Sequence, residues 1–255
     1  MGIFVESTGS GPDLVLLHGW GMNASLWDDV AAGLAREFRV HSVDLPGHGG
    51  SATCTPYELD AVTAALAAAL PSPAIVCGWS MGGQVAINWA LTRPGQVGRL
   101  VLLASTPRFV RGPGWDYGVD SAVLDDFMRD LALDWRTTLN RFNELQARGD
   151  AHRRAISRRL RERIVAHGEP VVAALAAGLQ ILKQTDLRTS LARIAQPVLI
   201  LHGAHDAVVP LAAGEYLQRA LPRATLDVFE QTGHAPLIAE PRRTFNSIME
   251  FCRGA

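Results

Sequence analysis

The chain has 255 residues, 48% of them apolar and 19% charged, which is one large domain or a domain with an insertion and excludes a disordered chain. Its net charge of −1 leaves no global field of the kind that draws nucleic acid or a membrane surface. The single lysine, Lys183, follows Leu182 and stands three residues after Gln180, which removes both a Gly-Lys phosphate loop and an SxxK acyl-enzyme site.

The opening stretch MGIFVESTGS has neither a basic segment nor an apolar run, so no secretory signal is expected. LVLLHG (14–19) reads as a buried strand ending in turn chemistry, with a helix near 24–36 after it. RVHSVDLPG (39–47) is the next strand, followed by a helix over 57–70. AIVCGWS (74–80) leads into a helix over 81–93, and RLVLLAST (99–106) follows. Near the end come PVLILHG (197–203), a helix over 211–220, ATLDVFE (224–230) and a helix near 241–252. This alternation predicts an α/β fold: a mostly parallel, doubly wound sheet covered on both faces, with ligands bound beyond the carboxyl ends of its strands. The uncharged run 61–92 is no spanning helix, because Pro71, Pro73, Gly78, Gly82, Gly83, Gln84 and Asn88 interrupt it. Between 107 and 190 the rhythm stops, and four helical patterns replace it: 121–132, 134–147, 151–166 and 170–183. Asp120, Asp134 and Asp150 offer N-caps, and Glu169-Pro170 a helix start. The expected organisation is a core of 1–106 and 191–255 with a four-helix lid, 107–190, inserted between sheet strands. Cys54, Cys77 and Cys252 are widely spaced with no CxxC, which fits a reducing cytoplasm rather than a disulfide framework or a zinc site.

Reactive chemistry concentrates at Gly78-Trp79-Ser80-Met81-Gly82. GxSxG alone is a weak signal; its place between a strand and the helical run QVAINWAL gives it meaning. So sharp a turn strains its middle residue and leaves the Ser80 hydroxyl at a helix N-terminus. Serine then needs a base, and the base an orienting carboxylate. Eight histidines compete. His152 and His167 fall in the lid pattern, His41 inside a strand, His18 and His202 before glycines at strand ends, and His48 in a turn; all read as structural. His234, in QTGHAPL after the last strand, can fold back toward Ser80, and His205 is its rival. Asp206, directly after PVLILHG, supplies the acid in the order Ser, Asp, His. The alternative position after the preceding strand is vacant, because STPRFVRGPGW holds no carboxylate before Asp116. Asp44 reads as a loop brace. The backbone N–H groups of Met81 and of Trp20, in HGWGMN, are the expected oxyanion donors, with packing a second role for the Trp20 ring.

Taken in order, LHGWGMNASLW, VDLPGHG, GWSMGG, RFNELQ, ILKQTDLR and GHAPLIAEP resemble the α/β-hydrolase family over essentially the whole chain. Within it they are similar to the pimeloyl-acyl carrier protein methyl ester esterases of biotin synthesis. A tryptophan directly after His-Gly, and another before the serine, is more specific than a triad. The resemblance implies Ser80, Asp206 and His234 as the triad, Trp20 and Met81 on the oxyanion side, and Phe142, Leu145 and Gln146 against the acyl chain. It implies a serine carboxylesterase that frees pimeloyl-carrier protein and methanol without metal or cofactor. Such an enzyme is expected to be a cytoplasmic monomer whose partner is an acidic acyl-carrier protein, with no nucleic acid and no membrane involved. Residues 148–163 carry seven arginines against Asp150 and Glu162, a local excess of five positive charges. Arg154, Arg158 and Arg161 recur on one helix face, and Arg141 matches the family's basic pattern on the preceding helix; Arg141, Arg154 and Arg158 are the expected carrier-docking residues. Arg153 falls nearer the stripe of Ile156, Leu160 and Ile164. The same arginines also read as a solvated face in an arginine-biased chain. Arg136 departs from the family pattern by one position, where this chain has Thr137. Rival readings are a general short-chain carboxylesterase, a carbon–carbon bond hydrolase on the same fold, and a non-catalytic ligand receptor.

Overall fold

Runs such as Leu14–Leu17 and Leu100–Leu103 carry apolar side chains on both faces, so they are stable only where other elements cover both sides of the sheet. The computed structural model describes residues 2–254 and provides that cover. Its strands are β1 (Val5–Thr8), β2 (Asp13–Leu17), β3 (Arg39–Val43), β4 (Ala74–Trp79), β5 (Val97–Leu103), β6 (Val198–Gly203) and β7 (Ala224–Phe229). They form one sheet in the order β1-β3-β2-β4-β5-β6-β7, with β1 antiparallel to β3 and the other pairs parallel. The helices are α1 (Asp28–Leu34), α2 (Leu59–Ala69), α3 (Met81–Thr92), α4 (Ser121–Leu133), α5 (Trp135–Gln146), α6 (Arg153–Ile164), α7 (Val172–Gln184), α8 (Leu211–Ala220), α9 (Pro236–Ala239) and α10 (Pro241–Arg253). Among the described residues, no helix is long and apolar enough to cross a membrane.

The strand order places the site. From β2 the chain moves outward to β3, then returns across β2 to β4 and continues the other way to β5. Right-handed crossovers send α1 to one face and α2, α3 and α8 to the other, so the loops leaving β2 and β4 part and open a crevice. In agreement, α1 packs with α10 and α2 packs with α3.

Two sequence expectations need correction. β1 was not anticipated: four residues, VEST, mostly exposed at the sheet edge, carry little apolar signal. It is pinned from the side, where Ser7 Oγ lies 2.8 Å from His41 Nδ1 and Asp13 meets His41 Nε2 at 2.7 Å. Helix starts also shift. Asp120 and Asp134 cap α4 and α5, accepting from Ala122 and Thr137 N–H. The Asp150 carboxylate instead accepts from His152 N–H, making a turn that delays α6 to Arg153. Past Pro170, Val171 N–H donates to Gly47 O, so the chain docks on the β3 loop before α7 begins.

Helices α4–α7 all lie between β5 and β6 in the chain, and their attachment is uneven. The α6–α7 half is tied to the sheet side. Asn23 Nδ2 donates to Arg163 O and Ile164 O at 2.6 and 3.0 Å, the Trp20 indole donates to Leu175 O at 2.8 Å, and Arg159 Nη1 donates to Ile238 O at 2.8 Å. Arg159 and Arg163 also pair with Asp29 and Asp28 at the start of α1. By contrast α4 packs on α5 and α7, with ion pairs from Asp125 to Lys183 and from Asp130 to Arg141.

Candidate active site

Three loops leaving the carboxyl edge of the sheet converge. After β4 the backbone turns at Ser80 with φ 55° and ψ −118°, a strained conformation for a residue with a side chain. Close approach on either side permits it: a Cβ on Gly78 would fall 2.2 Å from Gly82 O, and one on Gly82 would fall 2.5 Å from His18 O. Ser105 Oγ donates to Ser80 O at 2.9 Å and holds the turn from β5's side.

The loop after β7 brings His234 Nε2 to 3.0 Å from Ser80 Oγ. The loop after β6 brings Asp206 Oδ2 to 2.7 Å from His234 Nδ1. Both His234 and the Asp206 side chain are buried, and the other Asp206 oxygen accepts from Val208 and Val209 N–H at 2.8 Å each. A carboxylate so placed orients the imidazole with its proton on Nδ1, leaving the Nε2 lone pair toward the serine hydroxyl. The backbone N–H groups of Trp20 and Met81 donate to no protein acceptor among the described residues.

The remaining histidines are placed otherwise. His205 is exposed, and its backbone N–H donates to Thr232 O. His202 Nε2 lies 2.8 Å from Val209 O and 3.6 Å from Asp206, and burial holds its pKa below the usual histidine value. Asp44 is fully buried and braces its loop, accepting from Ala24 N–H at 2.6 Å and Gly50 N–H at 2.8 Å, with His167 Nδ1 at 3.2 Å.

Sequence reasoning missed the supports of His234. The Trp79 indole donates to His234 O at 2.8 Å, and the two rings lie 5.2 Å apart. From the insertion, Gln146 O accepts from His234 N–H at 3.2 Å. The tryptophan before the serine was a visible signal; that its polar end reaches a residue 155 positions away was not.

A narrow apolar cavity of about 80 Å³, open in part to solvent, lies under the insertion. Trp20, Phe127, Phe142, Leu145, Leu179 and Val208 are among its lining residues. Trp20 packs edge-on against Phe127 and Phe142, with centroids 5.6 and 5.3 Å away. Thus Phe142 and Leu145 reach this cavity. The Gln146 side chain does not: it is buried beside Asn143, 3.3 Å away.

The arginines separate too. Arg154 and Arg158 are exposed; Arg158 lies 3.9 Å from Glu162, while Arg154 pairs with no acidic group among the described residues. Arg161 lies 3.9 Å from Glu144 and Arg141 is 2.8 Å from Asp130. Arg153 shares the helix face of Ser157, Leu160 and Ile164 but, as the first residue of α6, is exposed. Arg136 stacks on Trp135 and pairs with Glu169.

A family model described as the alpha/beta hydrolase fold matches residues 12–241. A protein from Nitrosomonas europaea named pimeloyl-[acyl-carrier protein] methyl ester esterase is 47% identical, covering 94% of this chain and 96% of the relative. A protein of the same name from Aromatoleum aromaticum is 43% identical over 95% of this chain and 99% of its own. The chain belongs to the α/β-hydrolase fold family, on its pimeloyl-[acyl-carrier protein] methyl ester esterase branch. Among solved α/β hydrolases, the esterase EaEST from Exiguobacterium antarcticum superposes with a TM-score of 0.90 at 26% identity, covering 99% of this chain and 96% of its own. The enol-lactonase from Burkholderia xenovorans has a TM-score of 0.84 at 21% identity over 98% and 96% of the two chains, which shows the shared α/β-hydrolase fold alone.

Proposed function

We propose that the chain is a serine carboxylesterase that hydrolyses the methyl ester of pimeloyl-[acyl-carrier protein] during biotin synthesis, releasing methanol and the free carboxylate. The observation that carries the chemistry is the relay from Asp206 through His234 to Ser80, at 2.7 and 3.0 Å. Ser80 Oγ attacks the ester carbonyl while His234 Nε2 takes its proton. The tetrahedral oxyanion is received by the Trp20 and Met81 N–H groups, each contributing on the order of 3–4 kcal/mol to the transition state. Collapse expels methanol with the proton from His234. Water, activated by the same nitrogen, then attacks the acyl-serine and restores the hydroxyl. Asp206 holds the imidazole and offsets its charge without taking the proton.

The substrate assignment rests on relatives of that name at 43–47% identity and on an apolar cavity suited to a chain of methylene groups. On this reading the core is 1–106 and 191–255, and 107–190 is a lid over it. Arg141, Arg154 and Arg158 present positive charge to an acidic carrier, and the enzyme works as a monomer in the cytoplasm. The test offers methyl pimeloyl-carrier protein and follows free carboxylate and methanol. Hydrolysis far more efficient than that of free short-chain methyl esters is expected; equal efficiency would reduce the enzyme to a general esterase.

A further inference from the structure

His18 is fully buried in the loop after β2 and takes no part in the proton relay. Its two nitrogens have fixed and opposite jobs. Leu45 N–H donates to Nε2 at 2.9 Å, so that nitrogen is bare and the ring proton is on Nδ1. Nδ1 lies 2.7 Å from Gly19 O and donates to it. The same carbonyl accepts from Met22 N–H at 3.3 Å, closing a turn whose third residue, Gly21, has φ +73°. Gly19 C=O and Trp20 N–H are the two ends of one planar trans peptide and point in opposite directions. Whatever fixes the carbonyl therefore fixes the direction of the N–H. The loop also lies hard against the nucleophile, since a Cβ on Gly19 would fall 3.1 Å from the Ser80 Cβ.

We propose that neutral His18 is a positioning residue for the oxyanion site, aiming the Trp20 N–H by holding the opposite end of its peptide through Nδ1–H and Gly19 O. This rests on the serine-esterase reading above. The surroundings suit the role. The His48 ring stands 5.2 Å away with its buried Nε2 unpartnered, so a charged His18 would face a second histidine and no carboxylate within hydrogen-bonding reach. Burial, then His48, holds the His18 pKa well below the usual histidine value. Protonation would also turn Nε2 into a donor facing the Leu45 N–H, breaking the clamp from the other side.

The test compares His18→Leu, His18→Asn and His18→Gln for kcat, KM and inhibition by a trifluoromethyl ketone, whose adduct with the serine carries an oxyanion. An asparagine amide sits near the Nδ1 position and a glutamine amide near Nε2, so only asparagine keeps the donor to Gly19 O. Outright loss of one oxyanion donor costs about 10²–10³ in kcat, so misaiming one is expected to cost about 10–100-fold in His18→Leu. KM should stay within about twofold, and the ketone Ki should rise by the factor that kcat loses. His18→Asn should recover most of that loss and His18→Gln should not. If His18→Leu does not fold, the Asn–Gln order decides. A fall in kcat with unchanged ketone Ki, or a glutamine variant equal to or better than asparagine, overturns the proposal. Ser80→Ala turning over esters at the parent rate would overturn the esterase reading instead.

Discussion

At the scale of single residues, the reactive groups depend on neighbours that do no chemistry. His234 is held at its side chain by Asp206, at its carbonyl by the Trp79 indole and at its N–H by Gln146 O. Replacing Trp79 with phenylalanine keeps the ring against the imidazole and removes one buried hydrogen bond. A loss of about 1–2 kcal/mol in stability is expected, with kcat down several-fold and KM little changed. Thermal unfolding and steady-state kinetics check this together; a variant with parent kcat would show that the indole is only packing. Ser80, Asp206 and His234 were legible in the sequence because each lies directly past a strand end, where an α/β sheet gathers its loops. Their supports were not. The Val208 and Val209 N–H groups that cradle Asp206 are backbone, without a residue-type signature, and the Trp79 contact exists only once β4 and the β7 loop are side by side.

At the scale of elements, α6 shows the limit of counting charges along a chain. Its local excess of positive charge was visible, but two of its arginines are engaged by Asp28 and Asp29, about 130 positions away in sequence. What faces solvent is the rest: Arg148, Arg153 and Arg154 without an acidic partner among the described residues, Arg158 and Arg161 loosely paired, and Arg141 shared with Asp130. Exposed pairs of this kind are each worth about 0–1 kcal/mol, so an acidic partner displaces them cheaply. For the proposed docking face, Arg154→Glu with Arg158→Glu should raise KM for the carrier-bound ester about tenfold or more while sparing free methyl esters. Kinetics on both substrates at low and physiological salt decides it. Equal effects on the two would mean the arginines are merely solvated.

At the scale of the whole molecule, buried histidines set how stability responds to pH. Burial lowers the pKa of His18, His48 and His202, with His48 a further cause for His18. The folded chain therefore keeps all three neutral while the unfolded chain protonates them near pH 6.5. The unfolded state then binds more protons, so stability is level above that pH and falls below it, by at most about 4 kcal/mol per pH unit. Separately, the hydrogen bond from Arg188 is the main cause holding Asp186 to about 2, so its contribution is present above 3.8 and lost as pH falls through 2. Melting temperature should hold between pH 8 and 7 and decline steadily from 6.5 to 5; a flat profile would mean the histidines are not held neutral. The strands and their mostly parallel, two-face-covered sheet were legible at this scale except for β1, whose short polar edge carries no apolar alternation; the strand order was not. The central claim is that Ser80 is made nucleophilic by His234, and covalent trapping tests it most directly. A fluorophosphonate probe followed by peptide mass mapping should place a single adduct on Ser80 and lose it in His234→Ala. An adduct on another residue, or undiminished labelling of that variant, would contradict the account.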